Sequence, residues 1–454
     1  MAEKTMVKDL TQGSIAKNLI KYAAPLFLAN TLQAVYNMVD MMVVGQVDGG
    51  ISLAAVSIGG DLMHLMTFLI MGFTTAGQIM LAQFVGANKR DQIRKLIGTM
   101  FTVSFIIAAV MMILCFSFGE GLLALMNADP KAHDPARTYY ITCVCGLFFI
   151  AGYNTVCAIL RWMGDSKRPF YFIVIASILN IILDIFFVAG LHWSTFGAAF
   201  ATIIGQGVSF IAALIYLIRR REEFGFDFKL KSFKISGDVL RPLIKLGIPM
   251  SIQMASITIS KTLLSRWINA YGWEYTALAG IYNKSSLFMG IVANSLTTAG
   301  AANIAQNIGA AKYERVPKIL GLLALMSGTF SAIMIILLVS FPTQFFMLFT
   351  KDPEVIGISG MLIVPMVICF FGAIARTVGF SLINGSGNSK MNLMVALFDG
   401  IVARIGFSYI LGFVLKLGCR GFWFGDAIAG YMPFAVGFIF FLTGRWKRND
   451  HILR

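Results

Sequence analysis

Apolar residues fall in long blocks along this chain, and polar residues gather in short clusters between them. Blocks of about 20 residues or more match the length an α-helix needs to cross a hydrocarbon core of about 30 Å. The pattern predicts twelve such helices, near 15–44, 53–84, 95–118, 137–160, 169–190, 197–219, 242–271, 277–307, 317–341, 357–383, 392–415 and 421–443. The longest polar connection runs from Arg219 to Lys245, carries the stretch RRREEFGFDFKLKSFK, and falls near mid-chain. It divides the helices into two sets of six. The expected architecture is all-α and membrane-embedded: an N-terminal lobe over 1–222 and a C-terminal lobe over 223–454, with 223–241 as linker, around a central cleft.

Composition strengthens the membrane reading. Of 454 residues, 57% are hydrophobic and 13% charged, and the mean hydropathy is +0.77. A soluble chain of this size would need far more charge on its surface. The net charge of +15 is compatible with a nucleic-acid partner, but its distribution argues otherwise. Alternate connections hold 27 of the 37 basic residues, the opposite connections five, and the helices five. That asymmetry is the positive-inside pattern of a multi-pass inner-membrane protein with both termini in the cytoplasm. The basic excess therefore encodes topology. The first apolar run, interrupted by Asn30, Gln33, Asn37 and Asp40, reads as a mature helix rather than a cleavable signal. Six cysteines sit mostly in apolar runs without a zinc-like pair and read as small buried hydrophobes.

The two halves are related. Gly72-Phe-Thr-Thr-Ala-Gly77, Ala82-Gln83 and Gly86-Ala87 recur as Ser295-Leu-Thr-Thr-Ala-Gly300, Ala305-Gln306 and Gly309-Ala310 at an offset of 223. Leu96-Ile97-Gly98 matches Ile319-Leu320-Gly321, Pro25 matches Pro249, and Gly164-Asp-Ser-Lys167 matches Gly387-Asn-Ser-Lys390. Each repeat has an even number of helices, so both enter the membrane from one side and are related by an axis along its normal. Paired lobes of this kind suit alternating access, and a transporter is favoured over a channel, for which no selectivity-filter motif is present.

Ionisable residues within membrane helices cost about 2.5 to 3.5 kcal/mol each and need a reason. Asp40 shares a helical face with Gln33, Tyr36 and Asn37, and Asp184 stands one turn from Asn180. Two carboxylates in a low-dielectric pocket can exchange protons, or with the Asn180 carbonyl and the Thr202 hydroxyl can ligate sodium. The C-terminal half differs, with Lys261, Arg266, Lys284, Arg376 and Arg404 against Asp399 and Asp426. Asp399 and Arg404 are five apart, poorly phased for pairing within an α-helix. Interhelical pairing and snorkelling explain most of these charges; alternatively Lys284 or Arg376 lines the cleft and selects cargo by charge. The cleft candidates are Gln33, Tyr36, Asn37, Gln253, Tyr282, Lys284 and Arg376. The 25 Met and 39 Phe offer an adaptable apolar surface for cargo or simple lipid and packing contacts. His64 lies within a helix and could relay protons.

These motifs resemble the multidrug and toxic compound extrusion (MATE) family, in its prokaryotic DinF-like branch. The resemblance rests on Pro25 with Pro249, Val39-Asp40 to Gly45, the two Ala-Gln-x-x-Gly-Ala helix ends, Gly164-Asp-Ser-Lys-Arg-Pro169, Leu179-Asn180-Ile-Ile-Leu-Asp184 and Gly197-Ala-Ala-Phe-Ala-Thr202. It implies an N-lobe cation site at Asp40, Asn180, Asp184 and Thr202, with a tyrosine at Tyr139. The seventh helix carries Gln253, Ser256, Thr258 and Ser260 where other branches of the family carry an acid. Coupling through the N-terminal lobe follows.

The expected function is efflux of small, amphiphilic organic compounds by antiport against H⁺ or Na⁺, by a protein that needs no cofactor and works as a monomer among membrane lipids without nucleic acid. The alternatives are a flippase for a lipid-linked or anionic substrate and, with no HExxH or loop acid pair to support it, a membrane-embedded enzyme.

Overall fold

The computed structural model describes residues 9–125, 130–163, 165–224 and 226–447. Gly164 of the repeated Gly-Asp-Ser-Lys motif, the terminal basic residues Lys4, Lys8, Arg448 and Arg454, and His451 lie outside the described residues.

Among the described residues, ten helices are long and apolar enough to cross a membrane. The pair Lys131–Cys145 and Leu147–Trp162, bent by 49°, adds an eleventh span. The first of the ten, Ile15–Gly86, has 72 residues. At about 1.5 Å per residue it would run about 108 Å, more than three hydrocarbon cores. It is two helices, because Gly49 at φ 81° lies outside helical geometry and breaks the run. The expected twelve spans result: α1 (15–48), α2 (50–86), α3 (Arg90–Leu125), α4 (Pro130–Cys145 with Leu147–Trp162), α5 (Lys167–Asp184, prolonged through Ile185–Gly190), α6 (Ser194–Arg219), α7 (Gly237–Asn269), α8 (Trp273–Gly309), α9 (Arg315–Ser340), α10 (Gly360–Ser386), α11 (Ser389–Leu397, prolonged to Val414) and α12 (Cys419–Ala429 with Met432–Leu442). Large apolar side chains such as Ile113, Ile182, Leu325 and Ile439 are exposed on these helices, a distribution tolerable only in lipid.

The repeat is written into the backbone. Left-handed residues recur at Gly49 and Gly272, Asn88 and Ala311, and His192 and Lys416, at offsets of 223 or 224. The repeated Gly-Asp/Asn-Ser-Lys motif is a capped helix start. Asp165 accepts the Lys167 and Arg168 backbone N–H groups at 3.2 Å, and Asn388 accepts that of Met391 at 3.1 Å.

The chain forms two compact units. One holds Ala24–Gly247; the other gathers Leu10–Ala23 with the chain from Ile248 on. This boundary falls later than the 222/223 division expected from the charge run, and the start of α1 belongs with the C-terminal unit. Local packing explains both shifts. In the first unit the linker lies on α3: a Cβ on Gly98 would collide with the Ser232 carbonyl, so only glycine admits it. Thr102 Oγ1 donates to the Phe233 carbonyl at 2.6 Å, and Thr99 accepts the Ser236 N–H at 3.2 Å. In the second unit Gln306 accepts the Leu10 N–H at 2.9 Å, and Lys312 donates to the Thr11 carbonyl at 3.1 Å. Arg315 donates to the Gly13 carbonyl at 3.0 Å.

Candidate functional site

In the N-terminal unit, Asp40 on α1 and Asn180 and Asp184 on α5 are all buried, and the two carboxylates feel each other's charge. Tyr139 on α4 is buried beside Asp40 and Cys143, whereas its neighbour Tyr140 turns to the Cys115 carbonyl at 3.5 Å. Tyr36 has Gln33, Gln206, Asp40 and Asp184 around it. Thr202 on α6 is half-buried and donates to the Ala198 carbonyl at 3.1 Å, which leaves its oxygen lone pairs available as acceptors.

What sets this cluster apart is that its buried carboxylates have no ion-pair partner among the described residues, whereas Asp399 and Asp426 are paired with arginine. Among the described residues, one oxygen of Asp40, both of Asp184, both amide atoms of Asn180 and the Ser177 hydroxyl are buried without a hydrogen-bond partner. Buried polar groups are nearly always paired, and an orphaned carboxylate carries a desolvation penalty of several kcal/mol unless a proton or cation neutralises it. The donor set of carboxylates, an amide carbonyl and hydroxyls is hard oxygen chemistry, suited to H⁺ or an alkali cation and not to a thiophilic metal. Directly after Asp184 the helix adopts a π-turn over Ile185–Gly190. Such turns recur at functional sites because the extra residue re-aims the side chains around them.

Sequence reasoning missed Ser177, Cys143 and Gln206. Ser177 precedes Asn180 and Asp184 at spacings of three and seven, and Gln206 follows Thr202 at four, so helical phasing was the available signal.

The C-terminal unit is wired differently. Arg404 is buried, donating to Asp399 at 2.9 Å through Nη2 and pairing with Asp426 through Nη1. The Tyr282 hydroxyl donates to the other Asp426 oxygen at 2.7 Å, and Arg376 approaches Asp399 at 3.6 Å. The spacing of five that is poorly phased in an α-helix is brought into register here, because Phe398–Ala403 is π-helical with an i to i+5 repeat. Of the cleft candidates, Tyr282 and Arg376 thus join this network and Gln253 is buried on α7, while Lys284 is exposed. Gln33 is exposed, and Tyr36 and Asn37 are half-buried. His64 is exposed and stacks on Phe68 at 6.2 Å. The cysteines are free; four are buried, Cys369 is half-buried, and Cys145 is exposed, contrary to the reading of all six as core residues.

Two repeated six-span halves, with an acid pair buried in the first, define a multi-pass helical membrane protein of the transporter class. The MatE family profile matches residues 25–186 and again 249–410, one match per repeat, and the chain belongs to that family. It is 25% identical to the probable multidrug resistance protein YoeA of Bacillus subtilis (strain 168), over 99% of this chain and 98% of the relative. It is 24% identical to the probable multidrug resistance protein NorM of Thermotoga maritima, over 97% and 95%. Among solved structures, a MOP superfamily transporter from Pyrococcus furiosus superposes with a TM-score of 0.88 at 23% identity, covering 99% of this chain and 100% of that one. An outward-facing multidrug resistance MATE family transporter gives 0.87 at 22% identity, with both chains covered in full. These superpositions establish the fold; the relatives are transporters, not enzymes.

Proposed function

We propose that this protein exports small organic, amphiphilic compounds by alternating access, driven by inward movement of H⁺ or Na⁺ through Asp40, Asn180, Asp184 and Thr202, with Tyr139 and Tyr36 lining the ion's surroundings. The observation that carries the proposal is the set of orphaned oxygens on Asp40, Asn180 and Asp184, buried with no ion-pair partner for either acid among the described residues. Such a pair is stable only with a proton or cation bound, so loading and release of that ion can drive a change of state. The multidrug names of the relatives support the cargo class. The charge asymmetry of the connections supports a plasma-membrane location with both termini in the cytoplasm. No cofactor is invoked, and all the coupling groups belong to one unit of one chain, as a functional monomer requires.

The flippase alternative depends on free cations in the C-terminal half. Arg404 and Arg376 are instead engaged by Asp399 and Asp426, which weakens it.

The test is efflux of a fluorescent cationic dye from proteoliposomes under separately imposed pH and sodium gradients. Wild type should export under one of them and so identify the ion. Asp40→Asn and Asp184→Asn should reach the membrane folded and lose gradient-driven export. Undiminished export from both variants would overturn the site assignment.

A further inference from the structure

The linker between α6 and α7 forms an open cleft of about 870 Å³ against the start of α3, within the N-terminal unit. Five cations line it: Arg94, Lys95, Arg221, Lys231 and Lys234. Two acids, Glu222 and Asp227, share the lining among the described residues, and a third, Asp238, lies beside it. Asp227 is already engaged, because its Oδ1 accepts the Ser232 hydroxyl and the Lys229 N–H. These hydrogen bonds hold its carboxyl below the usual carboxylate range and keep it charged. Lys95 pairs with Asp238 at 3.4 Å. Arg94, Arg221, Lys231 and Lys234 have no ion partner among the described residues.

This is a built pocket rather than a chance gathering of basic side chains. Its linker wall is pinned to α3 by the Gly98 contact and the Thr99 and Thr102 hydrogen bonds. An aromatic cluster anchors it from behind: Phe226 lies 4.8 Å from Phe228 and 5.4 Å from Phe233, which packs 5.7 Å from Phe101. Ser236 and Gly237 bring the first turn of α7 to the rim, where a Cβ on Gly237 would meet open space. The exposed N–H groups and dipole of that helix end reinforce the positive field.

Location narrows the ligand. The pocket is bounded by the starts of α3 and α7 and the end of α6, so it lies where spanning helices meet the headgroup layer on the basic face of the protein. The turn Leu230–Phe233 beside it presents Leu230, 92% exposed, between Lys229 and Lys231. An apolar tip flanked by lysines is suited to the lipid interface. We infer that this pocket binds a phosphate-bearing anion, supplied as the headgroup of an anionic phospholipid or as a soluble phosphate ester. Arginine guanidinium groups take phosphate oxygens two at a time, and lysines add point charge.

The test uses the purified full-length protein in nanodiscs at constant ionic strength, because screening alters every exposed charge. Amine-reactive labelling of Lys231 and Lys234 is measured by peptide mass spectrometry in phosphatidylcholine, in phosphatidylcholine with phosphatidylglycerol, and in phosphatidylcholine with glycerol 3-phosphate added. Exposed Lys318 and Lys390, outside the cleft, serve as controls. Protection of Lys231 and Lys234 by phosphatidylglycerol identifies a lipid site, and protection by glycerol 3-phosphate in neutral discs identifies a soluble ligand. R94Q/R221Q should weaken protection about fivefold for each cation removed, about 25-fold for the pair. Equal labelling in all three conditions, equal protection of Lys318 and Lys390, or protection unmoved by R94Q/R221Q would overturn the site. Should that variant fail to fold, K231Q/K234Q, read through phosphatidylglycerol retained in native mass spectrometry, tests the site independently: undiminished retention overturns it and reduced retention supports it.

Discussion

The two halves share one helical plan and treat buried charge in opposite ways. In the N-terminal unit the acids Asp40 and Asp184 are buried with orphaned oxygens; in the C-terminal unit Asp399 and Asp426 are buried against Arg404, with Arg376 and Tyr282 in support. At the repeat offset of 223, Asn180 and Asp184 fall on Ala403 and Phe407, and at 224 Asp40 falls on Leu264. The duplicated scaffold therefore does not impose the chemistry. One half keeps its buried acids without an ion-pair partner among the described residues. The other pairs its buried acids with arginine. The proposed coupling needs this division, since an acid already neutralised by arginine has little capacity left for a coupling ion.

The comparison breaks most visibly at Arg404. Arg404→Met leaves two buried carboxylates without their guanidinium and should cost about 3–5 kcal/mol. Thermal unfolding of the detergent-solubilised protein, followed by size-exclusion chromatography, would show it; an unchanged midpoint would mean that the C-terminal network is not structural. Gly49→Ala comes next. Its Cβ meets no neighbour, but φ 81° is strained for any L side chain, so a loss of about 1–2 kcal/mol is expected in the same assay. Asp184→Asn should change stability by less than about 1 kcal/mol, or raise it, because no partner is orphaned by the change. Destabilisation as large as that of Arg404→Met would reveal an unseen structural partner for Asp184 and erase the contrast between the halves. Smallest of all, Lys284→Gln should stay within about 0.5 kcal/mol, as befits an exposed side chain. A large effect there would give Lys284 a role the network does not.

Helix count, repeat and acid positions were legible because each is a local property. A block of apolar residues must be helical in lipid, since every backbone polar group needs an internal partner. Embedded Asp40 and Asp184 stand out because each is costly by itself. The resemblance points to Tyr139 with Tyr140 adjacent; both are buried, Tyr139 beside Asp40 and Tyr140 against Cys115. Ser177 and Gln206 escape notice because single hydroxyls and amides are ordinary in membrane helices and mean something only beside a charge.

The sequence by itself determined the twelve spans, the charge asymmetry of their connections, the duplication, and which side chains would be expensive to bury. Tertiary structure alone decided which charges are satisfied. Asp399 meets Arg404 because the helix relaxes to a π-turn over Phe398–Ala403, a backbone choice invisible to residue spacing. The start of α1 joins the C-terminal unit, and the linker joins the N-terminal one, through hydrogen bonds of Gln306, Lys312, Thr99 and Thr102 to backbone distant in sequence. The physical reason is common to both. Burial and periodicity depend on each residue's own solvation and its near neighbours, whereas pairing depends on where two remote segments are brought within about 3 Å of each other.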